Sequence, residues 1–400
     1  MAPFRPPVEE LAALVVGFAA NVQPDQIVSV LSEPGKEELT RAIAEEAYRR
    51  DARFVDVWYF DHHVKRARIA HAREETLDYV PPWYGDRVLR LGEERAARIA
   101  LVGPAAPGVL NDLDPARAGR DRLPTLREVG TIVNERTTNW TAVPAPTPEW
   151  AEVVYPDLDR DPAHERLWSE IAHVCRLDEP DPEAAWRVRM SELADVCGRL
   201  GERRFDALHF EGPGTDLTVG LLPSSAWCAA EFTRIDGLRH LVNLPSEEVF
   251  TTPDPERVEG TVRATLPLEH VGSIVDGIRV RFEGGRAVSI DADAGAEVLR
   301  TAAALDEGAS RLGEVALVDR AGRIGPLGTV FYDTLLDENA ASHIALGQAY
   351  TFTVAEEDVG HLNDSAIHID FMIGSPEVTV TGLTRSGERV PVLRAGDWQI

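Results

Sequence analysis

Residues 366–373, AIHIDFMI, alternate strictly. Successive side chains of an extended segment point to opposite sides, so Ile367, Ile369, Phe371 and Ile373 share one face. Ala366, His368, Asp370 and Met372 share the other. The wholly apolar face predicts a central strand, and that strand carries an imidazole and a carboxylate pointing the same way. Neutral imidazole and carboxylate are the usual ligands of zinc, cobalt and manganese, and a rigid element holds them better than a loop does. For an isolated His-x-Asp pair, a solvated surface strand is the simpler reading; the apolar surroundings weigh against it here.

The surrounding stretch, residues 328–374, supplies a second imidazole. Asp337, Glu338 and Asn339 are capping and first-turn residues, and ENAASHIALGQAY has helical composition, which predicts a helix over 339–350. His343 and Tyr350, seven residues apart, would then lie two turns apart on one face beside the strand. One His-x-Asp pair and one further histidine could hold a single metal but hardly two.

A chain of 400 residues with 44% hydrophobic residues can build two cores. Its net charge of −26 repels phosphate backbones, which argues against nucleic acid as a partner. The three cysteines, Cys175, Cys197 and Cys228, show no C-x-x-C spacing, so a disulfide framework or thiolate site is not expected and a reducing cytoplasm is. The apolar run 11–20 is too short to span a bilayer and follows two glutamates, so it reads as a buried helix and no membrane association is expected.

From the N-terminus the pattern is strand (27–31), helix (36–50), strand (53–59) and a further apolar strand in ERAARIALVGP. This βαβ order predicts a small parallel α/β domain over 1–108, with the remainder, 109–400, as a larger mixed-sheet domain. The fold class is α/β, α+β overall. His62 and His63 follow the second strand and read as a solvated loop. No Gly-x-Gly-x-x-Gly follows either strand, which argues against a dinucleotide fold. The proline-rich stretch 110–162 reads as a domain connection. Helices are expected over 167–175 and 182–200, followed by strands in DALHF and TDLTVGLL and a hairpin around Glu283-Gly284-Gly285.

The carboxylates that could complete a site lie in this second half. Glu314 opens the otherwise apolar strand EVALV, where a lone acid calls for a cation. Glu247 and Glu248 sit between apolar runs, and only one of two adjacent residues on an extended segment readily joins a given site.

Several strings together are far more specific than His-x-Asp alone: NLPSEEVFTTP, RLGEVALV, FYDTLLDENAASHIALG with AY following, and HIDFMIG. With GPGTDLTVGL, NVQPDQ and AYRRDARFVDVWY they resemble the thermophilic-type metalloaminopeptidases, the aminopeptidase T and AmpS family, over nearly the whole chain. The resemblance implies two divalent metal ions per chain (zinc, cobalt or manganese/magnesium) held by Glu248, Glu314, His343, His368 and Asp370, with Tyr350 beside them. The family's spacing to Tyr350 selects Glu248 over Glu247 as ligand. It also implies peptide substrates with a free N-terminus and a homodimer. In this scheme Glu314 bridges the metals, Tyr350 donates to the oxyanion and Glu247 shuttles protons. The alternatives are another dinuclear metallohydrolase, a dipeptidase or amidase, and a non-catalytic peptide- or metal-binding protein; the complete ligand set weighs against the last.

Overall fold

A computed structural model describes residues 4–121, 123–124, 126–270 and 272–400. The chain forms two compact units. The first runs to Val188 and takes in Ala230–Ser246 and Phe331–Leu335; the second comprises Arg189–Ala229, Glu247–Val330 and Leu336–Ile400. The expected α/β class, with a parallel sheet and larger second-half sheets, is what the chain has.

In the first unit β1 (Ile27–Ser32), β2 (Phe54–Tyr59), β3 (Ala97–Val102) and β4 (Asn139–Pro144) form a parallel sheet in the order β2-β1-β3-β4. The helix Glu37–Arg49 buries Leu39, Ile43 and Ala47, one residue per turn on its inner face. The parallel sheet therefore continues past residue 108, through the stretch expected to be a connection. β4 escapes a hydrophobic reading because two of its inward positions are polar, Asn139 and Thr141. His62 and His63 do not lie in a loop but open the helix His62–His71, capped by Asp61, and His62 Nε2 stands 2.7 Å from Glu33.

The second unit has an eight-stranded sheet around the long strand Pro253–Arg263, including the expected hairpin of Arg279–Glu283 and Arg286–Asp291. It also has a five-stranded sheet built from β5 (Cys228–Ala229), β6 (Glu248–Thr251), β7 (Leu312–Val318), β8 (His343–Gly347) and β9 (His368–Met372). Its order is β9-β8-β7-β6-β5, and all pairings are antiparallel.

Two expectations fail in this sheet. His343 lies on a strand and not on a helix: the helix in this region is Thr334–Glu338, and Tyr350 follows β8 in the succeeding loop. Helix propensity differs among ordinary residues by only tenths of a kcal/mol. It is outweighed by hydrogen-bonded ladders on both sides of β8 and complete burial of Ile344 and Leu346. Gly347 was the signal: its φ is +107°, and a Cβ there would stand 2.1 Å from the Ile367 carbonyl oxygen. The second failure is that the His-x-Asp strand β9 is the edge of the sheet, not its centre. Its alternation holds nonetheless.

Candidate metal centre

The register of the five-stranded sheet gathers chemistry-bearing residues on one face. Ala316 of β7 lies opposite Phe250 on one side and His343 on the other; Ala345 of β8 lies between Glu314 and Asp370; Gly347 pairs with His368. Glu248 lies two residues before Phe250 and so shares its face. Glu248, Glu314, His343, His368 and Asp370 therefore project from four adjacent strands to one side. Between them the floor is Ala316 and Ala345, whose small side chains leave room above the sheet.

The side chains converge as this placement requires. His343 Nε2 is 3.0 Å from Glu248 Oε2 and 3.9 Å from Glu314 Oε1; His368 Nε2 is 3.3 Å from Glu314 Oε2 and 3.4 Å from Asp370 Oδ1. Three groups have ligand atoms within 4.8 Å of one another: Glu248, Glu314 and His343; Glu314, His368 and Asp370; and Glu338, His343 and Asp370. Each imidazole is fixed from behind. His343 Nδ1 lies 3.1 Å from the Ala341 carbonyl and His368 Nδ1 2.8 Å from the Gln348 carbonyl, so each Nδ1–H donates to backbone and Nε2 faces the carboxylates. Metal-binding histidines are usually oriented by such a bond.

The electrostatics describe a site built for cations. Burial opposes charge on His343, but Glu248, Asp370 and Glu338 hold its proton and raise its pKa to about 10. His368 is likewise held well above its ordinary value, against burial, by Asp370 and Glu314. Burial pushes Glu314 up, with Asp370 and Glu248 adding to the effect against His368. Burial pushes Glu338 up further, and Asp370 and Glu248 reinforce it. Asp370 is lowered despite its burial, because both imidazoles stand beside it. The carboxylates thus draw both imidazoles towards the cationic form. Two buried oxygens, Glu248 Oε2 and Asp370 Oδ1, meet the imidazole nitrogens at 3.0 and 3.4 Å without a well-directed hydrogen bond. Buried carboxylate oxygens so poorly served are costly, and divalent cations are the partners that such oxygens and imidazole nitrogens accept together. The donor set fits metal.

The sequence profile of the thermophilic metalloprotease family, M29, matches residues 4–398. The chain belongs to the M29 family. It is an enzyme of the metallopeptidase class. Aminopeptidase T of Thermus thermophilus is 43% identical over 99% of both chains, and aminopeptidase 2 of Geobacillus stearothermophilus 35% identical over 98% of this chain and 97% of its own. The solved structure of wild-type AmpT from Thermus thermophilus superposes with a TM-score of 0.89 at 42% identity, covering 98% of this chain and 99% of that one.

In this M29 chain Tyr350 stands at the His368 side of the site. Its ring centroid is 5.5 Å from that of His368, 5.8 Å from Phe250 and 5.2 Å from Phe352. Burial and the nearby carboxylates raise its phenol pKa, so the hydroxyl keeps its proton. Glu247 is not brought to the cluster. Its carboxylate turns the other way and accepts from Arg189 Nε at 2.6 Å. Conversely, Glu338 reaches the cluster from the end of the helix Thr334–Glu338. Between Asp337 and Asn339 it looks like a capping residue; the signal in the sequence is its position five residues ahead of His343, just after the apolar pair Leu335-Leu336.

Proposed function

We propose that the chain is an aminopeptidase that removes residues one at a time from the free N-terminus of peptides, with two divalent ions in the site. The observation that carries this reading is the overlap of the three ligand groups, which share Glu314, His343 and Asp370 and so supply more donors than one ion needs. Glu248, Glu314, His343, His368 and Asp370 are the residues that would hold the ions, and Glu314, a member of two of the three groups, is the ligand they would share. Zinc, cobalt or manganese/magnesium suits the imidazole and carboxylate donors. When bound, such ions supply Lewis acidity that polarises the scissile carbonyl and acidifies the attacking water.

The chain's own groups do the rest. Glu338, a carboxylate crowded by others, takes the proton from the water and returns it to the leaving amine, the role expected of Glu247. The protonated hydroxyl of Tyr350 donates to the oxygen that gains negative charge. The three ligand carboxylates would leave two doubly charged ions with excess positive charge, a setting that would favour a free, neutral α-amine. All three cysteines are free, which supports action in a reducing cytoplasm, and the proposal includes a homodimer. No helix among the described residues is long and apolar enough to cross a membrane.

An N-acetylated peptide tests the reading, because an amide nitrogen is a poor donor. The free peptide should exceed its acetylated twin by orders of magnitude in kcat/KM, with products forming a ladder from the N-terminus. Equal cleavage of the twins, or internal fragments as first products, would favour an amidase or another dinuclear hydrolase.

A further inference from the structure

Behind the ligand face, three charged side chains are buried together. Glu248 pairs with Val318 across β6 and β7, so Glu247, one residue earlier, and Asp319, one residue later, fall opposite one another on the back of the sheet. Two facing carboxylates repel. Arg189, from the helix Pro182–Arg203, lies between them: its Nε donates to Glu247 Oε2 and its Nη2 to Asp319 Oδ1, each at 2.6 Å. The three side chains are 6%, 0% and 8% exposed. Arg189 also reaches Glu192 at 3.4 Å, and Gly322 packs its backbone on Glu247, where a Cβ would stand 3.3 Å from the side chain. The backbone N–H of Glu247 donates to Asn339 Oδ1 at 2.6 Å, and Asn339 is fully buried. Residue 247 therefore touches three things at once: Glu248 through the chain, β7 through Arg189, and the neighbour of Glu338 through Asn339.

We infer that Arg189 is a positioning residue of the metal centre, bridging Glu247 and Asp319 so that Glu248 is held in register with Glu314 and Glu338 is held over the same face. This rests on the reading of the ligand face as a metal site. A guanidinium suits the task because its planar fork reaches two carboxylates at once, which an ammonium on a flexible stem does less well. The arrangement also explains why Glu247, adjacent to a ligand in sequence, contributes through the back of the sheet and not at the reacting atoms.

The test is cobalt(II) binding followed by absorbance, alongside denaturant unfolding, for the wild-type chain, Arg189→Met, Arg189→Lys and the triple variant Arg189→Met/Glu247→Gln/Asp319→Asn. Arg189→Met leaves two buried carboxylates unpaired and should unfold more easily. The triple variant removes those charges and should recover most of the stability. If Arg189 positions the ligands, the triple variant still binds cobalt about 10–100-fold more weakly than wild type, the range for loss of an outer-shell partner. Arg189→Lys, which keeps a charge but not the fork, falls between. Wild-type cobalt affinity in the triple variant or in Arg189→Lys would overturn the inference and leave Arg189 a stabilising residue only. Absence of cobalt binding by the wild-type chain would instead refute the metal-site reading.

Discussion

Lys36 in the first unit and Asp370 in the second are both buried charges, and their surroundings differ in kind. Lys36 Nζ donates to Glu33 at 2.7 Å, to the Leu101 carbonyl at 3.1 Å and to the Gly103 carbonyl at 2.6 Å. Arg234 is similarly enclosed, with Asp236 at 2.8 Å and Asn139 at 2.9 Å. Both of these cations are met by a carboxylate and by carbonyl oxygens. On the ligand face of the second unit, four carboxylates and two imidazoles crowd together, like charges repel, and two buried oxygens lack a well-directed hydrogen bond. A buried charge is ordinary when paired; a crowd of acids without enough donors marks a place where something else belongs.

The sharpest way to break this contrast is to remove a ligand. His343→Ala or Asp370→Asn should leave the chain folded while removing metal and cutting turnover by about 10³-fold or more, since metal ions contribute several kcal/mol to the transition state. Elemental analysis and kcat decide it; wild-type metal content and rate in either variant would remove that residue from the ligand set. Tyr350→Phe should cost less. Loss of one oxyanion donor lowers kcat by roughly 10²–10³-fold with KM and metal content nearly unchanged, and an unaltered kcat would make Tyr350 a packing residue of the Phe250 and Phe352 cluster.

The smallest effect belongs to His240, the first unit's exception. It is buried and stays neutral: burial, opposed by the Leu238 backbone and helped by Arg234, depresses its pKa to about 4. The unfolded chain takes up this proton near pH 6.5 and the folded chain only near pH 4, so stability falls as pH drops between these values, by up to about 3 kcal/mol. Denaturant midpoints between pH 7 and 4 should show a drop that His240→Gln reduces; identical pH dependence in the two proteins would show that His240 carries none of it.

Most of the first sheet and all of the proposed ligands are legible in the sequence, because alternation and apolar runs report strands directly. β4 is hidden because Asn139 and Thr141 occupy buried positions, where they are served by hydrogen bonds or packing that only tertiary structure supplies. The strand carrying His343 is hidden for another reason: SHIALGQAY is rich in helix formers, and only two flanking ladders make it extended. The proposed ligand set does not depend on that error, since it rests on residue types and family strings and not on the helix. Glu338 is lost because a carboxylate beside a helix end looks like a cap, and Glu247 is misassigned because Arg189, 58 residues away, cannot be paired with it from the sequence.

The first compact unit is assembled from three separate stretches, the last of them only Phe331–Leu335. Each return of the chain threads one unit's sequence through the other's, and the five-residue return ends three residues before Glu338. Neither unit is therefore a cassette. A recombination or truncation that kept only an N-terminal fragment would discard the strands Glu231–Thr233 and Arg239–Leu241, together with Trp150's hydrogen-bond partner at Phe331. Insertions and duplications have to respect the whole chain at once, so change in such a lineage must proceed by substitution and loop adjustment, with the two units inherited together.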